Sequence, residues 1–187
     1  IIVCPASVIP VWIGEIKRFH PELSAGVSVL TADDDFVRNP DARLWISSYT
    51  QLRRHADQLA KTKFGYAVLD EAQAIKNPES KTTQTCVALQ AAHRIAITGT
   101  PLENRPTDLW TIFRFLMPGL LGKRAQFERM MLRDPQAALG KVRRQVSPFV
   151  LRRLKRHVAA DIPPKMEVVL PCPLTHEQRA LYQHLTQ

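Results

Sequence analysis

Apolar positions along this chain keep two alternating rhythms. Ile1–Cys4, Val27–Leu30, Leu44–Ile46, Tyr66–Leu69 and Arg94–Ile97 are short apolar runs of strand length. Between them apolar residues return at helical spacing. Ile9, Trp12, Ile13, Ile16 and Phe19 predict one buried helix face, with Lys17 and Arg18 turned elsewhere. Ser7 offers that helix a cap, Pro10 falls in its first turn, and His20-Pro21 ends it. A single helix through Leu52 and Leu59 leads to the Tyr66 strand. Asn77-Pro78 reads as the cap and first proline of a helix reaching about Ala91. Strands that alternate with helices predict an α/β fold, a parallel sheet flanked by helices.

After Pro106 the texture changes. Leu109 to Leu116 predicts a helix, and the basic stretch 120–145 two more. Ile162-Pro163-Pro164-Lys165 is a stiff linker. Met166–Leu170 reads as a last strand, and Thr175 with Gln178 as the capping box of a final helix. Three parts follow: the sheet over 1–118, a basic helical protrusion and linker over 119–164, and a strand with the start of a helix over 165–187.

Composition narrows the class. The chain is 45% hydrophobic and 23% charged, ordinary for a globular protein with a real core. No apolar run approaches the ~18 residues of a membrane span. The opening Ile1-Ile2-Val3-Cys4-Pro5 lacks a basic leader and an initiator Met, which reads as a cut within a longer protein. Cys4, Cys86 and Cys172 are odd in number and far apart, as expected of reduced thiols in a cytoplasmic protein. No histidine pair has metal-ligand spacing, so no zinc site is predicted. The net charge of +9 is concentrated. Residues 114–157 hold 12 Lys/Arg against Glu128 and Asp134, a balance of +10, and the remainder sums to −1. A patch this local fits a polyanionic partner, although a solvated helical face would also read this way.

The chemistry concentrates at strand ends. Val68-Leu69-Asp70-Glu71-Ala72-Gln73 carries an apolar strand straight into two acids. One carboxylate can hold Mg²⁺ through water while the next orients an attacking water. An acidic pair after a strand can equally be a helix-capping loop. A phosphate site normally adds G-x-x-x-x-G-K-[ST], and none of the seven glycines belongs to that pattern. Thr98-Gly99-Thr100 places two hydroxyls at another strand end, within reach of the acids if the strands are neighbours about 5–10 Å apart. A tight turn explains it too. Pro5-Ala6-Ser7 and Ser48-Tyr49 offer hydroxyls and backbone N–H groups suited to phosphates, or simply to helix capping.

Their order is more informative than any one of them. VCPASVIPVWIGEIKRF, WISSYTQL, VLDEAQAIKN and ITGTPLENRPTDLW succeed one another as do the signature segments of superfamily-two helicases. The later PFVLRRLKRHVAADIPPK resembles the stretch after the first motor lobe in Swi/Snf-type helicase-like ATPases. The resemblance spans essentially all 187 residues.

It implies an incomplete RecA-like lobe of a two-lobed DNA translocase. The phosphate-loop strand is expected upstream of Ile1 and the second lobe, with its arginine finger, downstream of Gln187. ATP and Mg²⁺ are the implied cofactors. Asp70 resembles the Mg²⁺-linked acid and Glu71 the acid that activates water. Gln73, where many members have His, with Thr98, Gly99 and Thr100, resembles the machinery coupling ATP state to DNA tracking. Pro5, Ala6, Ser7, Ser48 and Tyr49 resemble segments on the tracked strand. Arg143, Arg144, Arg152, Arg153, Lys155 and Arg156 are the candidate contacts to duplex DNA, some of them alternatively to the second lobe. With the phosphate-loop strand missing, Arg94–Ile97 should be a sheet edge open to self-association, and the chain alone should not hydrolyse ATP. Location is expected to be nucleoid-associated in a bacterium or nuclear in a eukaryote. A strand-separating helicase, a restriction-system motor and a DNA-binding scaffold without ATPase activity are the rival readings.

Overall fold

The computed structural model describes residues 1–32, 41–99, 106–153, 168 and 170–185. It divides into two units, Ile1–Pro148 and Phe149–Gln187.

The first unit is built on five parallel strands: β1 (Ile2–Cys4), β2 (Val27–Val29), β3 (Leu44–Ser48), β4 (Lys63–Asp70) and β5 (Gln90–Ile97). Their order across the sheet is β2-β3-β1-β4-β5, so β1 is central and, among the described residues, β5 is an edge. In register, Cys4 lies beside Ser48, Val3 beside Leu69, and Asp70 beside Ile97. All the expected strands of this unit form. The strands at Tyr66 and Arg94 start earlier than their apolar cores suggest, because parallel pairing holds Lys63 beside Gln90 and Phe64 beside Ala91.

The helices are α1 (Ile9–Phe19), α2 (Pro21–Ser24), α3 (Tyr49–Arg54), α4 (Ala56–Lys61), α5 (Lys81–Ala88), α6 (Pro106–Leu116), α7 (Arg124–Arg133) and α8 (Pro135–Val146). One sheet face, through Ile2, Cys4 and Ile46, is covered by α1 with Ile16, Trp12 and Ile9. The other, through Val3, Trp45, Ala67 and Leu69, is covered by Leu52, Leu59, Cys86, Ile112 and Phe115 from α3, α4, α5 and α6. From β1 the chain crosses to β2 on the first face. From β3 to β4, and from β4 to β5, it crosses on the second. The connections leaving β1 and β4 therefore run to opposite sides, which opens a crevice at the carboxyl ends of these two strands.

Several local expectations need correcting. The α1 face is narrower than its periodicity suggests: Ile9, Trp12 and Ile16 pack on the sheet, while Ile13 and Phe19 are exposed. Ser7 does not cap α1 but lies within a 3-10 turn, Ala6–Val8, and α1 has no side-chain cap. The helix through Leu52 and Leu59 is two helices, broken at His55, whose Nε2 pairs with the Thr31 carbonyl at 2.8 Å. The helix expected from Asn77 starts at Lys81. The Asn77 carboxamide accepts the Glu79 N–H at 2.9 Å and fixes a turn, so Ser80 caps instead by accepting from Thr83 N at 3.1 Å. That helix ends at Ala88, because buried Leu89 turns extended into β5.

α6 belongs to two cores. Ile112 and Phe115 face the sheet, while Leu109, Trp110 and Phe113 meet Phe127 of α7 and Val142 and Val146 of α8. The expected pair of helices in the basic segment thus forms as α7 and α8.

In the second unit, α9 (His176–Leu185) carries the expected capping box. Thr175 N donates to Gln178 Oε1 at 3.1 Å and Gln178 N to Thr175 Oγ1 at 3.3 Å. Of the strand expected at Met166–Leu170, Met166, Glu167 and Val169 lie outside the described residues, and Val168 and Leu170 have no regular structure. The linker Ile162–Lys165 also lies outside the described residues.

Candidate functional site

Parallel strands deliver their carboxyl ends to one rim of the sheet. Pro5–Ser7 follows β1, Ser48-Tyr49 closes β3, Asp70–Gln73 closes β4 and Thr98-Gly99 follows β5. The fold therefore gathers four separated sequence segments into one place. Asp70 and Pro5 stand on either side of the crevice between β4 and β1.

Asp70 is held at three points. Its Oδ1 accepts the Glu71 N–H at 2.9 Å. Its Oδ2 accepts the Trp12 indole N–H from α1 at 2.9 Å. Its carbonyl accepts the Tyr49 hydroxyl from α3 at 2.7 Å. Burial, with Cys86 and Asp70 nearby, pushes the Tyr49 hydroxyl well above its ordinary range, so it remains a donor. Burial and the same carboxylate push the Cys4 thiol up to about 11, so Cys4 is a packing residue and not a nucleophile.

The chain then bends sharply. Glu71 has φ 50° and ψ 52°, and is the one non-glycine residue with positive φ among those described. This left-handed geometry turns the strand into the 3-10 turn Ala72–Ile75 and leaves the Glu71 carboxylate exposed beside Asp70. Buried Ala72 and Ile75 hold the turn against the core.

Gln73 links this acid to the next strand. Its Nε2 donates to Glu71 Oε2 at 2.7 Å, and its Oε1 accepts from Thr98 Oγ1 at 2.7 Å. An uncharged amide can donate at one end and accept at the other, which lets it bridge an acid and a hydroxyl. The hydroxyl expected to reach the acids thus does so through one intervening residue. Gly99 follows Thr98, and Thr100 lies outside the described residues.

Other candidate residues fall differently. Ala6 and Ser7 are exposed on the rim. Ser48 is buried, and its hydroxyl accepts Gln51 N at 3.2 Å, so the plain capping reading holds for this side chain. Arg143 and Arg144 are exposed on α8, and Arg152 and Arg153 are exposed in the second unit. Lys155 and Arg156 lie outside the described residues. Arg124 is engaged by Glu79 at 2.8 Å and Glu128 at 2.7 Å, which leaves it less free to meet an anion. Trp12 and the inward role of Tyr49 were not legible in sequence. Helical spacing marks Trp12 only as a face residue, and nothing in it names a partner 58 positions away.

Comparison with known proteins fits this geometry. The family model of the SNF2-related domain matches residues 1–187. DNA repair and recombination protein RAD26 of Saccharomyces cerevisiae is 39% identical over 158 aligned positions, covering 76% of this chain and 15% of that protein. TATA-binding protein-associated factor MOT1 of the same yeast is 34% identical, covering 100% of this chain and 11% of that protein. Among solved structures, the Sulfolobus solfataricus SWI2/SNF2 ATPase core in complex with dsDNA matches with TM-score 0.77 and 36% identity, over 98% of this chain and 40% of that one.

The bend at Glu71 yields a stability test. Glu71→Gly should be more stable than Glu71→Val by about 1–2 kcal/mol, and so melt at a higher temperature, because only glycine accepts positive φ without strain. Equal thermal midpoints would show that the bend relaxes in solution. The five-stranded parallel sheet, the rim and the family model agree: this chain belongs to the SNF2-related domain family, as part of the first RecA-like lobe.

Proposed function

We propose that this chain is the part of an ATP-driven duplex-DNA translocase that manages magnesium, water and DNA tracking on the first motor lobe. One observation carries the reading: two adjacent carboxylates stand at the carboxyl-end crevice of the sheet, the second wired through Gln73 to the tip of β5.

The residues fit Mg²⁺ brought by a nucleotide. Each Asp70 oxygen accepts one N–H and keeps a lone pair, as a hard cation's water requires. Phosphate oxygens and water would supply the other ligands. Bound there, Mg²⁺ would neutralise charge on the transferring phosphoryl group. Asp70 would hold that ion through water. Glu71, with Oε2 on Gln73, offers its Oε1 to the attacking water and can take its proton. A change at Glu71 reaches Thr98, after β5, through two hydrogen bonds, a route from nucleotide state along the carboxyl rim. On the same rim Pro5, Ala6 and Ser7 would meet the DNA backbone.

No segment of the chain reads G-x-x-x-x-G-K-[ST], the pattern that supplies most triphosphate contacts, so this chain alone should not turn over ATP. In the intact protein, Glu71→Gln should keep nucleotide binding but lose at least about 10² in DNA-stimulated ATP hydrolysis, and Asp70→Asn should lose both activity and magnesium-dependent binding. Turnover near wild type in either variant would overturn the reading.

The basic segment supplies backbone contacts without reading sequence. With about six phosphate contacts drawn from Arg143, Arg144, Arg152, Arg153, Lys155 and Arg156, duplex affinity should fall roughly 10³-fold between 50 and 200 mM salt. A flat salt response, measured by fluorescence anisotropy, contradicts this assignment. The proposed location follows the substrate: nucleus or nucleoid.

β5 also invites pairing. Among the described residues it is an edge strand, and Ile95 and Ile97 are 45% and 43% exposed on it. The isolated chain should therefore self-associate. Light scattering that gives a monomer mass across a hundredfold concentration range would exclude this.

A further inference from the structure

We propose that Trp12 is a positioning residue for the Asp70 carboxylate, holding it in the orientation in which it would hold Mg²⁺ through water. The inference rests on Asp70 being the magnesium-linked acid, and adds a residue from a different strand connection to that site.

Asp70 Oδ1 is bonded to the N–H of its own neighbour, Glu71, a contact that constrains the side chain only locally. The Trp12 Nε1–H to Oδ2 bond, at 2.9 Å, comes from α1 across 58 positions of sequence. Among the hydrogen bonds of the described residues it is the one that ties this carboxylate to another element. Trp12 is half-buried, so water could have served its indole N–H, and burial alone did not force this pairing. Trp110 shows the plain alternative, giving its N–H to the Gly122 carbonyl at 3.1 Å.

The support behind Trp12 is stiff. α1 packs through Ile16, Ile9 and Trp12 itself on Ile2, Cys4 and Ile46, so the indole rides on the central strands. Tyr49 fixes the Asp70 carbonyl from the β3 side at 2.7 Å. Backbone and carboxylate are thus fixed from two neighbouring connections. A hydrogen bond donated to a charged carboxylate is among the stronger ones, and one from a rigid ring selects a single rotamer.

The test uses the intact protein, a fluorescent ATP analogue that is not hydrolysed, and Mg²⁺ titration. Trp12→Phe keeps the ring packing and removes the donor. The Mg²⁺ concentration at half-maximal analogue binding should rise roughly tenfold, with binding in EDTA unchanged. Trp12→His, which keeps a ring N–H, should recover part of the difference. A Trp12→Phe midpoint within twofold of wild type, at unchanged thermal stability, overturns the proposal. Asp70→Asn runs in parallel: if it too leaves the magnesium midpoint unchanged, the reading of Asp70 itself fails. If only Asp70→Asn shifts it, Asp70 stands and Trp12 falls. Should Trp12→Phe not fold, 5-fluorotryptophan labelling of otherwise unaltered protein decides. One resonance must move both in Asp70→Asn and on adding Mg²⁺ with the analogue; no such resonance refutes the proposal.

Discussion

Parallel pairing of β1 with β4 is the constraint on which the rest of this structure depends. It sets Val3 against Leu69, and so brings the tip of β1 and the helix that follows it to Asp70. Only with that register can Trp12 reach the carboxylate and Tyr49, two strands away from β4, reach the carbonyl of the same residue. A parallel strand is held on both faces, so a slip of one residue would swap Ala67 and Leu69 with Val68 and bury the wrong set. Register is therefore enforced by the core, and the site inherits its geometry from it.

The same economy of parts attaches the basic helices. α6 divides its apolar residues between the sheet and the α7–α8 pair, so this helical protrusion has no separate foundation. The ion pairs from Arg124 to Glu79 and Glu128 sit at the surface, where such pairs contribute little. Buried Phe113, Phe127 and Val142 do more, because each removes a large apolar area from water. Attachment by a shared hydrophobic core leaves Arg143 and Arg144 of α8 exposed.

The bridge through Gln73 has a distinct physical character. A neutral amide joins an acid to a hydroxyl without a proton of its own to lose near neutral pH. Histidine at such a place would titrate in that range; glutamine does not. The bridging side chain between Glu71 and Thr98 thus adds no titrating group of its own. The open side of β4 and β5 contrasts with this order. Tyr66 stacks on His93 at 4.7 Å, with Ile95 and Ile97 beyond, and these side chains remain exposed.

Sequence by itself determined a good deal of this protein. The alternation of apolar runs with helical spacing specifies a parallel α/β sheet, since strand and helix periods are local properties of side-chain direction. The acids at the end of an apolar strand, and the order of four short segments, mark the rim and the family. Local pattern failed where partners are distant or turns compete. His55 breaks a helix because the Thr31 carbonyl is there to meet it, and Asn77 makes a turn where its neighbour Pro78 suggested a cap. Only the tertiary structure decided which strand tips are neighbours, that Tyr49 and Trp12 turn inward to one aspartate, and that Gln73 stands between Glu71 and Thr98. Those are consequences of strand order, which arises from long-range packing and which no window of sequence contains.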